Sequence, residues 1–370
     1  MIFIDWFLPG FKAGGPIRSI AHLTEQLPFR FSIVTSIYDH HSSEPYPGIT
    51  ANTWHKHASN VRVMYLTPSN CSTKHYTKVM SECLPDKIYI NSLFSPSFAL
   101  KPLIAAKRNK LLSRVVLAPR GMLKSGALKV KRLKKSVFLF LSRSLGLFDG
   151  ILWHATNAQE KKEIIQYFGA KSEVRIAANL AAAPQELLHL SPRHDTLKLC
   201  TVARVSEEKN LLGGLQSLIE SRVKSEWHIY GVIQNQAYAK ELVALAEGTE
   251  QSSLFLHGEI NPNQLDEALK TGHFFFLPTL GENYGHSIVE ALMRGLPVII
   301  SNKTPWVNLK KHGCGWDLSL DSTDWKRTFE RAMSMDNEEY KAMRTSAHVY
   351  GNGISQDEEA KQAYMAIFGN

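Results

Sequence analysis

Residues 278 to 301 read Pro-Thr-Leu-Gly-Glu-Asn-Tyr-Gly-His-Ser-Ile-Val-Glu-Ala-Leu-Met-Arg-Gly-Leu-Pro-Val-Ile-Ile-Ser and follow directly on the apolar run Phe274–Leu277. The run has strand length, and the loop after it carries two glycines, Gly281 and Gly285. Ile288, Val289, Ala291 and Leu292 then recur with helical spacing, and Pro297–Ser301 forms a second apolar run. Strand, glycine loop, helix, strand is the repeating unit of a parallel α/β sheet. Backbone amides at the start of such a helix carry partial positive charge and accept a phosphate or sugar oxygen. Gly281 and Gly285 allow a ligand close to the main chain. Glu282 sits in the loop and Glu290 in the first helical turn, at the expected edge of a cleft, where a carboxylate accepts paired hydroxyl hydrogen bonds. Ser287 followed by Glu290 is also a capping box, which starts a helix near Ser287 without any ligand. His286 beside the positive end of a helix is expected as a neutral imidazole facing a ligand.

The same alternation extends both ways. Upstream, strand candidates are Ile2–Phe7, Phe31–Ser36, Val61–Leu66, Lys87–Asn91, Val115–Ala118, Ile151–Ala155 and Val174–Ala177. In the second half they are Lys198–Val202, Trp227–Tyr230, Leu254–His257, Phe274–Leu277 and Pro297–Ser301. Helices are expected over Ile17–Leu27, Gln159–Phe168, Leu211–Ile219 and Tyr238–Ala246, with Asn157 and Glu160 as a capping box, and the chain after Asp321 reads as helical, ending in Gln356–Phe368. Ala181–Asp195, with Pro184, Pro192 and no clear period, reads as a linker. Two doubly wound sheets follow, the division that 370 residues also suggest. No dinucleotide fingerprint, Walker sequence, His-Glu-x-x-His or Gly-x-Ser-x-Gly is present, so hydride transfer, P-loop chemistry and the common hydrolases lose their main support.

Two further loops stand out. Ala203-Arg204-Val205-Ser206-Glu207-Glu208-Lys209-Asn210 follows the first strand of the second half and puts two cations where open α/β sheets bind ligands. Arg204 offers a bidentate fork and Lys209 a point charge, suited to a diphosphate, although Glu207 and Glu208 also allow a neutralised surface cluster. Pro9 to Arg18, with Gly14, Gly15 and Pro16 leading into the first helix, makes an amide-rich, anion-accepting loop.

Charge separates the halves. The chain's formal net charge is +9, yet residues 1–190 hold 25 Lys and Arg against 11 Asp and Glu, while residues 191–370 hold 18 against 23. Between Asp86 and Asp149 fourteen basic residues meet no acid, densest at Lys124, Lys129, Lys131, Arg132, Lys134 and Lys135. Such a field selects anionic partners: phospholipid headgroups, a phosphorylated substrate or nucleic acid. Lys124–Phe148 mixes these cations with Leu128, Val130, Leu133, Val137, Phe138, Leu139 and Leu141, which fits a helix lying on an anionic membrane or one packing its apolar side on the sheet. The run Val137–Leu141 and its continuation to Phe148 are interrupted by Ser142, Arg143 and Ser144 and fall short of the roughly 18 to 20 apolar residues of a membrane span. Met1 leads into Ile2–Leu8 without a basic leader, and Cys71, Cys83, Cys200 and Cys314 form no Cys-x-x-Cys pair, so free thiols in the cytoplasm are the expectation.

With these loops in view, the chain resembles the retaining glycosyltransferases of family 4, the group 1 enzymes with the GT-B fold. Glu282 to Glu290 matches their E-x7-E motif, Arg204 and Lys209 their diphosphate-binding pair, and Gly14-Gly15 their amino-terminal glycine loop. The resemblance implies two Rossmann-like doubly wound domains facing a central cleft: an acceptor-binding domain over 1–190, a nucleotide-sugar domain over 191–355, and a helix over 356–370 crossing back to the first. By it, Arg204 and Lys209 neutralise the diphosphate leaving group and Glu282 binds donor-sugar hydroxyls. Glu290 binds the ribose, amides around Asn283, Tyr284, Gly285, His286 and Ser287 add to the anion site, and Gly258, Glu259 and Ile260, after His257, border the base. No metal and no cofactor beyond the nucleotide-sugar donor is implied. The acceptor is expected to be a glycan or a polyprenyl-linked glycan in surface polysaccharide synthesis, with no nucleic acid partner, at the inner face of the cytoplasmic membrane or free in the cytoplasm. Many relatives carry a histidine where this chain reads Pro119-Arg120-Gly121-Met122, and Arg120 is the acceptor-side candidate there, for a phosphate or sugar oxygen. Competing readings are another GT-B activity, an epimerase or phosphorylase, and a non-catalytic binder of membrane or nucleic acid that uses the basic half.

Overall fold

The computed structural model describes residues 1–124, 126, 128, 132–190, 195–321 and 323–369, the side chain of Arg132 excepted. Lys129, Val130 and Lys131 of the basic run and Pro192 of the linker lie outside the described residues. The chain forms two compact units, Met1–Leu180 with Asp357–Asn370, and Ala181–Gln356.

In the first unit β1 (Ile2–Phe3), β2 (Phe31–Ser36), β3 (Trp54–Lys56), β4 (Val61–Leu66), β5 (Ile88–Ile90), β6 (Val115–Leu117), β7 (Leu152–Ala155) and β8 (Glu173–Ile176) form one sheet in the order β3-β4-β2-β1-β5-β6-β7-β8. All neighbours are parallel except β3, which runs antiparallel to β4. The helices are α1 (Gly15–Gln26), α2 (Thr73–Cys83), α3 (Lys101–Arg108), α4 (Arg132–Ser144) and α5 (Ala158–Phe168). Alternate strand residues bury on opposite faces, as period two requires. Phe3, Val34, Met64, Ile90 and Leu117 join one core, and Ile2, Ile33, Val63, Tyr89 and Val116 the other.

The second unit holds β9 (Leu197–Val202), β10 (Ser225–Tyr230), β11 (Ser252–Gly258), β12 (Phe274–Leu277), β13 (Val298–Ser301) and β14 (Gly315–Leu318), all parallel, in the order β11-β10-β9-β12-β13-β14. Its helices are α6 (Leu211–Ser221), α7 (Gln236–Glu247), α8 (Leu265–Lys270), α9 (His286–Met293), α10 (Asp324–Ser334) and α11 (Asn337–Ser355). Trp227, Phe274 and Phe276 pack on one face of this sheet and Cys200, Phe275 and Leu277 on the other. The last helix, α12 (Glu358–Phe368), belongs to the first unit, where Ala360, Tyr364 and Ile367 enter the core beside Tyr89.

Several elements differ from the sequence reading. The first strand stops at Phe3, although Ile4 N–H still donates to Val34 O at 3.2 Å and Ser36 N–H to Asp5 O at 3.2 Å. The chain then turns, with Gly10 N–H bonded to Phe7 O. The edge strands β3 and β14 were not expected. β3 is Trp-His-Lys at a polar edge, and β14 opens on Gly315, whose backbone lies so near Val298 that a Cβ would fall 2.1 Å from its carbonyl oxygen. The Asn157–Glu160 box is half formed. Asn157 accepts from Glu160 N–H, but the fully buried Glu160 carboxylate turns to Thr156 N–H and Oγ1–H, both at 2.7 Å, and to Gly121 N–H. The four cysteines are free thiols.

Two buried histidines of the first unit make its stability depend on pH. His154 Nε2–H donates to Ala177 O at 2.9 Å, so Nδ1 accepts from the Tyr89 hydroxyl at 2.6 Å, and that oxygen accepts from Arg120 Nη2 at 2.7 Å. Burial, aided by the nearby Arg120 charge, pushes the His154 pKa down to about 3, and burial pushes His22 down to about 4. Both are neutral when folded, whereas the unfolded chain takes up protons near pH 6.5. Their stabilisation is therefore complete above pH 6.5 and is lost as pH falls toward the folded values. Between pH 7.5 and 5.0 each histidine is expected to withdraw on the order of 2 kcal/mol. Urea titrations at those two pH values check this, and His22→Asn should flatten the dependence by about one proton's slope.

Candidate functional site

The switch point of the second sheet lies between β9 and β12, because the chain leaves β9 for β10 on one side while β12 pairs on the other. Ligands of open α/β sheets bind outside the carboxyl ends of the strands flanking such a point. Two loops meet there. Residues 203–210 leave β9, and residues 278–285 leave β12. Their joint is hydrogen-bonded: Leu280 N–H donates to Glu208 O at 2.8 Å, Thr279 Oγ1 to the same oxygen at 3.1 Å, and Asn210 Nδ2 to Pro278 O at 3.1 Å. Asn210 turns in the left-handed region at φ 53°, which ends the short 3-10 turn Glu207–Lys209 and starts α6.

That turn buries Lys209. Its Nζ lies 2.6 Å from Glu282 Oε1, with the lysine side chain 8% and the glutamate 15% exposed. Glu282 is itself anchored, its N–H donating to Lys303 O at 2.9 Å. A charge pair this withdrawn from water is much less screened than a surface pair. Arg204 differs: it is part-exposed, with Nη1 donating to Gln234 Oε1 at 3.2 Å and Nη2 to Glu208 Oε2 at 3.3 Å. These contacts are weak enough in solvent for an anion to displace. Ser206 Oγ, beside both cations in the chain, is buried without a hydrogen-bond partner.

Helix α9 begins at His286, one residue earlier than expected, and its cap is Gly285 at φ 81° with no side-chain cap bond. The Ser287–Glu290 capping box does not form. Gly285 O accepts from Ile288 N–H and Val289 N–H, which takes the cap role away from Ser287. His286 and Glu290 are both buried, and the His286 ring lies 4.6 Å from that of Tyr284. Tyr284 is fixed in turn by Trp306, whose Nε1 donates to Tyr284 O at 2.5 Å. At the end of β11, Gly258 takes φ 76° and its carbonyl accepts from Gly231 N–H at 2.6 Å, while Ile260 packs on the core. His257 stacks on Tyr230 and shares a 2.9 Å contact with His228 Nδ1. Burial lowers the pKa of both histidines, which suits a neutral pair.

Arg204, Lys209, Glu282, Asn283, Tyr284, Gly285, His286, Ser287 and Glu290 thus belong to the strand-end loops of β9 and β12 or to α9, and Gly258, Glu259 and Ile260 to the end of β11 and the loop after it. Gly14, Gly15 and Arg120 lie in the first unit. Gly14, at φ 65°, caps α1, and the loop before it is held by the buried Asp39, whose Oδ2 accepts from Phe11 N–H at 2.9 Å and Lys12 N–H at 3.3 Å. Arg120 is turned inward: Nε donates to Asn91 Oδ1 at 2.6 Å, Nη1 to Asn179 Oδ1 and Nη2 to the Tyr89 hydroxyl. The sequence reading missed Asp39, the loop-joining role of Asn210 and the buried role of Glu160, which it took for a capping residue. Asp39 and Glu160 are acids in a basic half, and that rarity was the one signal available. Among the described residues no cluster of three or more His, Cys, Asp or Glu is placed to hold a metal ion, and no helix is long and apolar enough to cross a membrane.

Residues 189–347 match the family model described as glycosyl transferases group 1. Solved structures share the fold over nearly the whole chain. Sucrose-phosphate synthase from Thermosynechococcus elongatus aligns at 12% identity over 95% of this chain and 91% of its own, with a TM-score of 0.66. HepE from Anabaena, in complex with UDP and glucose, aligns at 15% identity over 98% of each chain, also at 0.66. A glycosyltransferase from Rickettsia africae aligns at 10% identity over 100% of this chain and 98% of its own, at 0.64. No curated protein matches the sequence at a significant level. The chain thus has two parallel-sheet units of the GT-B type, and the unit that carries the Lys209–Glu282 pair is similar to the group 1 glycosyl transferases over residues 189–347.

Proposed function

We propose that the protein is a retaining glycosyltransferase of family 4 that moves a sugar from a nucleoside-diphosphate sugar to a glycan or polyprenyl-linked acceptor in bacterial surface polysaccharide synthesis. The observation that carries this reading is the withdrawn Lys209–Glu282 pair at the β9–β12 switch point, with the displaceable Arg204 on the same loop as Lys209. As the bond between the anomeric carbon and the diphosphate breaks, the leaving oxygen takes the electron pair. Arg204, Lys209 and the first amides of α9 stabilise that charge without needing a metal. Glu282, oriented by Lys209, holds donor-sugar hydroxyls, and Glu290 the ribose. The acceptor hydroxyl bonds to the anomeric carbon on the same face that the diphosphate leaves, so configuration is retained, and its proton passes to the leaving phosphate oxygen. HepE, solved with UDP and glucose, supports a uridine nucleotide as the first donor to try. The second unit takes the donor and the first the acceptor.

The test follows both products. Nucleoside diphosphate release should depend on acceptor, proton NMR should show the anomeric configuration of the donor carried into the product, and excess EDTA should leave the rate unchanged. An inverted product, epimerised free nucleotide-sugar in place of transfer, or a rate abolished by EDTA would each overturn the corresponding part.

A further inference from the structure

Helix α4 buries one side and exposes another that a soluble domain would be expected to make polar. Leu139 and Ser142 are buried, Phe138 packs 5.5 Å from the Phe94 ring, and Lys135 Nζ sits over that ring at 5.0 Å. This is the side that docks on the sheet. At 3.6 residues per turn, Leu133, Val137, Phe140 and Leu141 form one stripe on the opposite side. They are 83%, 57%, 71% and 49% exposed, and Leu145, just past the helix, is exposed as well. Two cations border the stripe, Lys134 along one edge and Arg143 along the other, both exposed. No acidic residue occurs between Asp86 and Asp149, so nothing in this stretch of chain neutralises them.

An apolar stripe with cations on both edges is the arrangement of a helix lying in a membrane interface: the apolar groups enter the acyl boundary while the long cationic side chains reach back to the headgroups. The charge selects the occupant, because a leaflet rich in anionic lipid attracts the same cations that a neutral leaflet leaves unpaired. We propose that the outer face of α4 docks the protein on an anionic lipid bilayer. Leu133, Val137, Phe140 and Leu141 insert, and Lys134 and Arg143 lie at headgroup level. The proposal stands apart from the donor site, so its failure would leave the nucleotide reading untouched.

The experiment is co-sedimentation of the full chain with vesicles of phosphatidylcholine alone or with about 40% phosphatidylglycerol. Binding to the anionic vesicles should exceed binding to the neutral ones by about tenfold or more and weaken with added salt. Phe140→Ser combined with Leu141→Ser, both exposed, should weaken it by about tenfold while leaving the thermal midpoint and nucleotide binding unchanged. Lys134→Glu with Arg143→Glu should remove the preference for anionic lipid. Equal binding to both vesicles, or undiminished binding by the serine variant, would overturn the proposal. So would a dimer that the serine substitutions dissolve, in a chain that ignores vesicles, since the stripe would then be a contact between copies.

Discussion

Lys209→Ala is expected to lower the rate of sugar transfer by about a hundredfold or more, the cost of removing one preorganised charge from an anionic transition state. The magnitude follows from burial. Lys209 is withdrawn from solvent on a turn held by Asn210, so its charge is already in place when charge develops on the leaving group. The substitution also strands the Glu282 carboxylate, and breaking a buried pair costs about 3 kcal/mol of stability when one partner remains. These two effects separate. Glu282→Gln added to Lys209→Ala removes the stranded charge and should restore most of the lost stability without restoring the rate. Denaturant midpoints and steady-state rates on the two single variants and the double variant check both. If the double variant recovered rate along with stability, Lys209 would be a structural residue.

Gly351→Ala is expected to destabilise the second unit by about 2 kcal/mol and to reduce donor binding with it. Gly351 lies in α11 facing the end of α9, and a Cβ there would fall 2.3 Å from Met293 N and 2.5 Å from Leu292 C, backbone atoms that cannot swing aside. Helix propensity alone argues the other way, since alanine is better than glycine in a helix by about 1 kcal/mol. The close approach outweighs it because the clash meets main chain. Neighbouring groups make the contact a clamp: His348 Nδ1 donates to Met293 O at 2.7 Å, and Arg344 Nε to Gly295 O at 3.1 Å. Pushing α11 away therefore moves α9, which carries His286 and Glu290. A thermal midpoint that rises in Gly351→Ala would show that the helices separate freely.

The parallel core was legible because strands buried on both faces are continuous apolar runs. Phe274–Leu277 and Phe31–Ser36 have the bounds their composition suggests. β3 and β14 were not, since neither is a continuous apolar run: β3 is Trp-His-Lys and β14 is Gly-Trp-Asp-Leu. Site loops were visible as clusters of glycine and charge at strand ends. What one dimension could not give was the pairing of Lys209 with Glu282, 73 residues apart, which depends on β9 and β12 being neighbours. Nor could spacing decide who caps α9, because Ser287–Glu290 and a left-handed Gly285 are equally good local signals, and the fold uses the glycine. Arg120 showed the reverse problem. As a lone arginine after a strand it read as available to a ligand, while the structure surrounds it with Asn91, Asn179 and Tyr89.

The claim that the β9–β12 switch point holds a nucleoside-diphosphate sugar is tested most directly by thermal shift with UDP, GDP, ADP, CMP and their sugar conjugates, on wild type and Arg204→Ala in parallel. A ligand bound only by the folded chain at a hundred times its dissociation constant adds about 2.7 kcal/mol. One nucleotide series should raise the wild-type midpoint and fail, or nearly fail, to raise that of Arg204→Ala. A shift of equal size in both proteins, or none with any nucleotide, would contradict the account.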